Sequence, residues 1–239
     1  MEIVSYFVYL VASVLFILGI KKLGSPKTAR RGNQLSATGM LLAIVVTLLD
    51  QKVLTYEYII LGLVVGAAIG AVMAIKVQMT GMPQMVGILN GFGGGASALV
   101  ALAEYYRIFN TGALFEINTT VTIVLSILIG GVTFTGSLIA FGKLQGIVTG
   151  KVVKYPLQHP LNALLILAVI AALVFIVINP TETNILLAVL AVSLVLGVLL
   201  VLPIGGADMP VAISLLNSYS GLAASMTGFV LQNNMLIIA

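Results

Sequence analysis

The chain has 239 residues, of which 60% are hydrophobic and 8% are charged, with a mean hydropathy of +1.20. This hydropathy exceeds what the core of a water-soluble protein requires and indicates an integral membrane protein. The net charge of +4 comes from basic residues in short segments between apolar runs, which is not the pattern of a nucleic-acid-binding face. The absence of cysteine excludes disulfides, thiol chemistry and a cysteine-ligated metal.

Apolar runs predict eight full helices, and the final NNMLIIA predicts the opening turns of a ninth helix in a chain that continues beyond Ala239. Because helices satisfy their own backbone hydrogen bonds in lipid, we predict an all-α polytopic transmembrane bundle. We expect one transmembrane domain over residues 1–239, without a metal site. The predicted helices cover residues 3–22, 35–50, 56–77, 83–106, 118–142, 161–179, 184–202 and 208–229.

The basic residues predict the orientation of the bundle. The loops after odd-numbered helices are together rich in Lys and Arg. An excess of these residues is typical of cytoplasmic loops. We therefore predict an N-terminus outside and a chain that reaches the cytoplasm after a ninth helix. The odd loops hold Lys21, Lys22, Lys27, Arg30, Arg31, Lys76, Lys143, Lys151 and Lys154, and the other loops hold only Lys52 and Arg107.

Three predicted helices carry polar or small residues along one face. Such stripes either join helices through hydrogen bonds worth about 0.6–2 kcal/mol each, or line a shared hydrated path between neighbouring helices. The stripes are Asn90, Gly94, Ser97 and Ala101; Thr122, Ser126, Gly130, Thr133 and Ser137; and Ser214, Asn217, Ser218, Gly221 and Ser225.

Asp208 has two compatible interpretations. It suits the N-cap of the last full helix, with Pro210 in the first turn, and an acid at the mouth of a polar bundle also suits proton uptake and release. Asn217 lies nine residues further on, roughly 13 Å deeper along an ideal helix and on about its opposite side. Asn90 is therefore a plausible partner for Asn217, and neither amide titrates.

Other features favour structural interpretations. The string NGFGGGASA, residues 90–98, follows no strand and lies in an uncharged span, so we interpret it as close packing or a helix bend and not as a dinucleotide loop. Gly62, Gly66 and Gly70 form a small-residue stripe that favours helix packing. His159 is expected in an interfacial loop, and Glu104 and Arg107 in an outer loop.

Three segments resemble a known family. IGGADMPVAISLLNSYSGLAA at residues 204–224, VTFTGSLIAFGKLQG at 132–146 and MPQMVGILNGFGGGASALVA at 82–101 resemble the membrane domain of the beta subunit of proton-translocating NAD(P) transhydrogenase. The resemblance implies a machine that passes hydride from NADH to NADP⁺ while protons move inward through the membrane part. It implies a bacterial plasma (inner) membrane location.

The resemblance also implies where the functional groups lie. Asp208 and Asn217 match the acid and amide associated with proton transfer in the family, and Asn90 occupies a place where many members carry histidine. We expect a partner subunit to supply that histidine. The polar residues expected to line the path are Ser97, Ser126, Thr133, Ser137, Ser214 and Ser218.

The cofactors NADP(H) and NAD(H) would bind elsewhere. The resemblance implies an NADP(H) domain that follows residue 239, an NAD(H) domain on the alpha part, alpha subunits with their own transmembrane helices, and a homodimer of the whole assembly in the lipid bilayer. Two rival functions are a secondary transporter for a small solute, which would be expected to show paired broken helices in related halves, and a structural assembly subunit.

Overall fold

The computed structural model describes residues 2–50, 56–233 and 236–237, and these residues contain eight α-helices and no β-strand. The all-α prediction is therefore confirmed. The helices are α1 Glu2–Leu23, α2 Pro26–Asp50, α3 Glu57–Lys76, α4 Met82–Thr111, α5 Ile117–Leu144, α6 Gln158–Ile178, α7 Thr183–Val201 and α8 Met209–Val230. Single 3₁₀ turns, Met79–Gly81 and Gly206–Asp208, precede α4 and α8.

Seven of these helices, α1 to α7, are long and apolar enough to cross a membrane. The eighth, α8, has 22 residues but is not among them, because serine, asparagine and threonine interrupt its apolar residues. The predicted ninth helix falls on residues 233–239, most of which lie outside the described residues. Leu236 and Ile237 are described, and they lie against Gly228 of α8.

Two helix ends differ from the prediction by several residues. Helix α2 begins at Pro26 instead of residue 35, because its first turns are built from polar helix formers that an apolar run does not include. Helix α4 extends to Thr111 instead of residue 106. Gly112 ends it in the left-handed conformation, at φ 66°, where its N–H caps the carbonyls of Ile108 and Phe109.

Several residues predicted in loops lie in helices, and they include Glu104, Arg107 and His159. The same holds for seven basic residues assigned to the odd loops, which are Lys21, Lys22, Lys27, Arg30, Arg31, Lys76 and Lys143. Glu104 and Arg107 belong to the end of α4, where two hydrogen bonds of 2.5 and 2.7 Å join their side chains. His159 lies in the first turn of α6 and is exposed, with Gln158 Nε2 3.2 Å from its Nε2. The loop predictions for these residues were wrong because charged and polar residues at a membrane edge continue a helix as readily as they end it.

The described chain forms two compact units, which are residues up to Lys76 and residues 77–237. In the first unit α1 and α2 form a close hairpin, in which a Cβ on Gly39 would lie 3.1 Å from Ala12 O. Tyr9 Oη and Thr47 Oγ1 are 3.0 Å apart across the pair. Helix α3 has no buried residue, and Gly62, Gly66 and Gly70 have no neighbour within 4 Å, so no described residue packs on this stripe.

In the second unit α5 is the central helix. It packs against α4, α7 and α8 and more lightly against α6. Two apolar clusters fill the unit, one near Tyr105, Ile127 and Leu186 and the other near Ala140 and Met209. These clusters fix the positions of the polar residues of α4, α5 and α8, which lie between them along the helices.

Candidate functional site

Glycines bring α4 and α5 into close contact. A Cβ on Gly130 would lie 2.5 Å from Gly94 O, and a Cβ on Gly91 would lie 3.2 Å from Ser137 Cβ. Helix α4 runs without interruption through NGFGGGASA. The short distances at Gly91, Gly94 and Gly130 support the close-packing interpretation of this string.

Asn90 lies at this interface and is 6% exposed. Its Nδ2 donates to Ser137 Oγ at 2.9 Å, and its backbone carbonyl accepts from Ser220 Oγ of α8 at 3.1 Å. Its Oδ1 is buried and has no hydrogen-bond partner among the described residues. A buried amide oxygen without a protein partner is the kind of group that ordered water satisfies.

A second polar cluster lies further along the same three helices. Ser126 Oγ is 2.8 Å from Thr227 Oγ1, and each of these oxygens lies 3.3 Å from the backbone carbonyl of Ser97. Both side chains are buried, and Thr227 Oγ1 also donates to Ala223 O at 2.9 Å. These hydroxyls bond to protein atoms, so the cluster joins α4, α5 and α8 as interhelical hydrogen bonds do.

Two neighbouring side chains bond within their own helices. Thr133 Oγ1 donates to Ile129 O at 2.7 Å, and Ser97 Oγ donates to Gly93 O at 3.2 Å. Thr133 is fully buried. Sequence reasoning missed Thr227 and Ser220, which belong to the face of α8 opposite its exposed polar stripe. Their signal was a second spacing of three and four residues through Ala223.

Four of the five residues of the predicted stripe on α8 face away from the rest of the unit, whereas Ser225 is half-buried and its Oγ donates to Ile237 O at 3.4 Å. Ser214, Asn217, Ser218 and Gly221 are all exposed, and we refer to them as the polar face of α8. At about 100° per residue they cover an arc roughly 100° wide. The only hydrogen bond described for a side chain of this face runs from Ser218 Oγ to Ser214 O at 3.4 Å.

An apolar arc borders the polar face of α8 on its far side. Val211, Leu222 and Phe229 are 74%, 49% and 49% exposed, and they suit contact with lipid. The remaining arc, which includes Ile213 and Leu216, is buried against α4 and α5. Helix α8 therefore has one packed arc, one apolar exposed arc and one polar exposed arc.

Asn90 and Asn217 lie at similar heights. Helices α4 and α8 run parallel, because Ile213 contacts Gly87 and Thr227 bonds to Ser97. Interpolation places Asn90 within about one helical turn of Asn217. Their side chains do not bond to each other in the described structure, since Asn90 donates to Ser137 and Asn217 is exposed.

Asp208 ends the 3₁₀ turn Gly206–Asp208 and occupies the N-cap position of α8. Its carboxylate makes no capping hydrogen bond, and the residue is exposed, although the next residue, Met209, is fully buried. The position predicted for a helix cap is thus correct, but the capping bond that would explain an acid there is not made.

An apolar groove of about 560 Å³ lies between α4, α5 and α7. Phe92, Leu99, Phe134 and Leu194 form much of its wall, and no lining residue has a polar side chain. The groove offers no hydrogen-bonding partner to a polar solute. Within the described part of the chain, no group of three or more His, Asp or Glu side chains could hold a metal ion.

Comparison with known proteins gives the family. The family model of the NAD(P) transhydrogenase beta subunit matches residues 5–239. This chain belongs to the NAD(P) transhydrogenase beta subunit family. Two curated relatives named NAD(P) transhydrogenase subunit beta, one from Rhodospirillum rubrum and one from a designated strain of that species, are each 46% identical over 236 residues.

The match covers 97% of this chain and 50% of each relative, so the chain spans about half the length of the curated relatives it matches. All three segments that resemble the transhydrogenase beta subunit lie within the matched residues. These segments include Asn90 and Ser97 of α4, Thr133 and Ser137 of α5, and Asn217 and Ser218 of α8, whereas Ser126 and Thr227 lie outside them.

Proposed function

We propose that this chain is the proton-translocating membrane part of a NAD(P) transhydrogenase, and that inward proton movement through it is coupled to hydride transfer from NADH to NADP⁺. The observation that carries the proposal is an exposed acid, Asp208, which makes no capping bond and begins the helix that bears the exposed polar face. Ionisable and amide residues in membrane segments typically mark ion or proton pathways. Family membership supports the reaction class.

The proposed route follows water along the polar face of α8. Asn217 orients this water, while Asn90, at similar depth but buried between α4 and α5, would bind a separate internal water through its Oδ1, with its amide fixed by Ser137. Asp208 then passes protons to the cytoplasmic side. Ser214 and Ser218 line the route because their side chains are exposed on the same face.

Three of the residues predicted to line the path receive another role in this proposal. The Ser126 hydroxyl joins α5 to α4 and α8, and the Ser97 and Thr133 hydroxyls bond to carbonyls of their own helices, so all three already bond to protein atoms. A proton wire needs groups or waters that can exchange hydrogen bonds, and a closed set of bonds between helices does not provide them. The route therefore uses the outer side of α8 more than the interior of the unit.

Neither amide can store a proton, so the proposal needs a titrating group besides Asp208. We assign it to a histidine on a transmembrane helix of an alpha subunit that covers the polar face of α8. If every intramembrane histidine of the partner subunits can be removed and proton-coupled turnover persists, this assignment is wrong.

The proposed assembly places the nucleotides outside this chain. An NADP(H) domain beyond residue 239 would lie in the cytoplasm of a bacterium, with the N-terminus of the chain outside and NAD(H) on the alpha subunit. The whole assembly would be a homodimer in the plasma (inner) membrane. The charge of Asp208 would then change the docking equilibrium of the NADP(H) domain. By the same coupling free energy, NADP(H) binding would change the protonation equilibrium of Asp208.

The experiment that tests the proposal is Asp208→Asn in the complete transhydrogenase, reconstituted in vesicles. Removal of the only acid on the route is expected to lower proton-coupled hydride transfer by about a hundredfold or more, with normal membrane insertion. Hydride transfer and internal pH are followed together by absorbance and a pH-sensitive dye.

Glu182→Gln is the matched control, because Glu182 is also an exposed acid at an N-cap position without a capping bond. It is expected to retain normal turnover. Normal proton-coupled turnover in Asp208→Asn would contradict the proposed route and leave Asp208 with a structural role only. The alternative of a secondary transporter gains no support from the groove, whose lining is wholly apolar.

A further inference from the structure

Lys143 is a buried cation with an unusual set of partners. It lies in the last turn of α5 and is 4% exposed, although its sequence position predicted a free loop cation that only sets topology. Its Nζ donates to the backbone carbonyls of Leu202 at 2.5 Å, Ile204 at 2.7 Å and Lys151 at 3.3 Å. An ammonium has three N–H donors, and these three carbonyls match them in number.

Leu202 and Ile204 belong to the α7–α8 linker, residues 202–208. Leu202 directly follows α7, where helix carbonyls lack intrahelical partners and the helix dipole favours a cation. Lys143 therefore caps the end of α7 from a different helix. A buried charge is expensive unless such hydrogen bonds offset the loss of water, so this position selects a long cationic donor over an apolar side chain.

The same linker is bonded to the loop that joins α5 and α6. Gly206 N donates to Gly150 O at 2.8 Å, and Val153 N donates to Leu202 O at 3.3 Å. Together with the Lys143 bonds, these contacts tie the end of α5 to both loops. The last residue that Lys143 holds, Ile204, is four residues before Asp208.

We propose that Lys143 is a positioning residue that holds the α7–α8 linker against the end of α5 and thereby places the Asp208 carboxylate at the N-terminus of α8. This inference rests on the proposed function of Asp208. It also gives α5 a direct connection to Asp208, because a displacement of the end of α5 moves the carbonyls that precede the acid.

The test uses the complete transhydrogenase in vesicles with Lys143→Met, which keeps the length of the side chain and removes its donors. Misplacement of a group by about 1 Å can cost a hundredfold in rate, and we expect proton-coupled turnover to fall at least about tenfold. We also expect the pH profile of turnover to shift. In an Asp208→Asn background, Lys143→Met is expected to add no further loss, because it acts through that carboxylate.

A second readout reports the linker itself. Residues 1–239 contain no cysteine, so Ala207→Cys places the single thiol of this membrane part on an exposed residue of the linker, and labelling is measured on the peptide that contains it. With Lys143→Met, maleimide labelling of this thiol is expected to accelerate at least about threefold, as a linker held by fewer bonds opens more often. Lys151→Met is the control, since Lys151 is exposed and contributes only its backbone carbonyl, which the substitution retains. It is expected to change neither readout.

The outcomes separate the two proposals. Unchanged turnover, pH profile and labelling in Lys143→Met would overturn the role of Lys143. Normal turnover in Asp208→Asn would overturn the proposed function, and the labelling rate would still test whether Lys143 holds the linker. If Lys143→Met does not assemble, Lys143→Arg keeps the charge with a different donor geometry and is expected to shift the pH profile. A wild-type profile in that variant would show that Lys143 has only a structural role.

Discussion

The interface between α4 and α5 and the polar face of α8 are built from the same kinds of residue and behave differently. Glycine, serine and asparagine at the interface are buried and pack within hydrogen-bonding distance of the facing helix. Glycine, serine and asparagine on the polar face of α8 are exposed. Small polar residues at helical spacing thus join helices where another helix lies opposite them, and they stay exposed where no described helix covers them.

The largest expected effect comes from filling the interface at Gly130. A Cβ there would lie 2.5 Å from Gly94 O, which is backbone and cannot move without displacing α4. Overpacking of this kind typically costs about 1–3 kcal/mol, and the backbone contact puts Gly130→Ala at the upper end, so the thermal unfolding midpoint is expected to fall clearly.

Gly221→Ala is the matched control on the polar face of α8, because nothing lies within 4 Å of its added Cβ. Its effect on the free energy of unfolding is expected to stay within about 1 kcal/mol and to be stabilising, as alanine is the better helix former. Equal destabilisation by the two variants, measured on the purified protein, would remove the distinction between the two regions.

A smaller but functionally selective effect is expected on the polar face itself. Asn217→Leu removes an exposed amide for which no described contact is lost, so the unfolding midpoint should barely change. Proton-coupled turnover should fall about tenfold, equivalent to about 1.4 kcal/mol of barrier, because the route loses a group that orients water. Leu215→Ile, on the apolar exposed side of α8, should leave both quantities unchanged. An unaltered turnover in Asn217→Leu would exclude Asn217 from the route.

The smallest expected effect separates packing hydroxyls from lining hydroxyls. Ser126→Ala removes the 2.8 Å bond to Thr227 and is expected to cost about 1 kcal/mol of stability. Because the two groups share this bond, the effects of Ser126→Ala and Thr227→Val should be less than additive in a double-mutant cycle. Ser218→Ala should change stability by less than about 0.5 kcal/mol. Additive effects of the first pair would show that the bond contributes little.

Much of the fold could be predicted from the sequence because a helix in lipid needs a long apolar run, and seven helices have one. The start of α2 could not, because its first turns consist of charged and polar residues that lie before the apolar run. The polar end of α4 was missed for the same reason. Hydropathy locates the part of a helix that lies in lipid and not the turns that extend beyond it.

The site could be predicted only in part. Spacing placed Ser126 and Asn217 in comparable stripes, yet one is fully buried and the other exposed, because exposure depends on which face of a helix its neighbours cover. The N-cap position of Asp208 followed from Pro210 in the next turn, but the missing capping bond depends on the local backbone. The burial of Lys143 gave no sequence signal, since its partners are backbone carbonyls that any residues could supply.

The composition of α8 has a consequence for how the protein is made. Its predecessor α7 reaches a hydropathy of 2.8, whereas α8 does not qualify as a span that would partition into lipid by itself. Serine and asparagine penalise entry into the bilayer unless neighbouring helices receive them. We therefore expect insertion of α8 to depend on order, with α4 already in place when α8 leaves the insertion machinery, because the carbonyls that accept from Ser220 and Thr227 belong to α4.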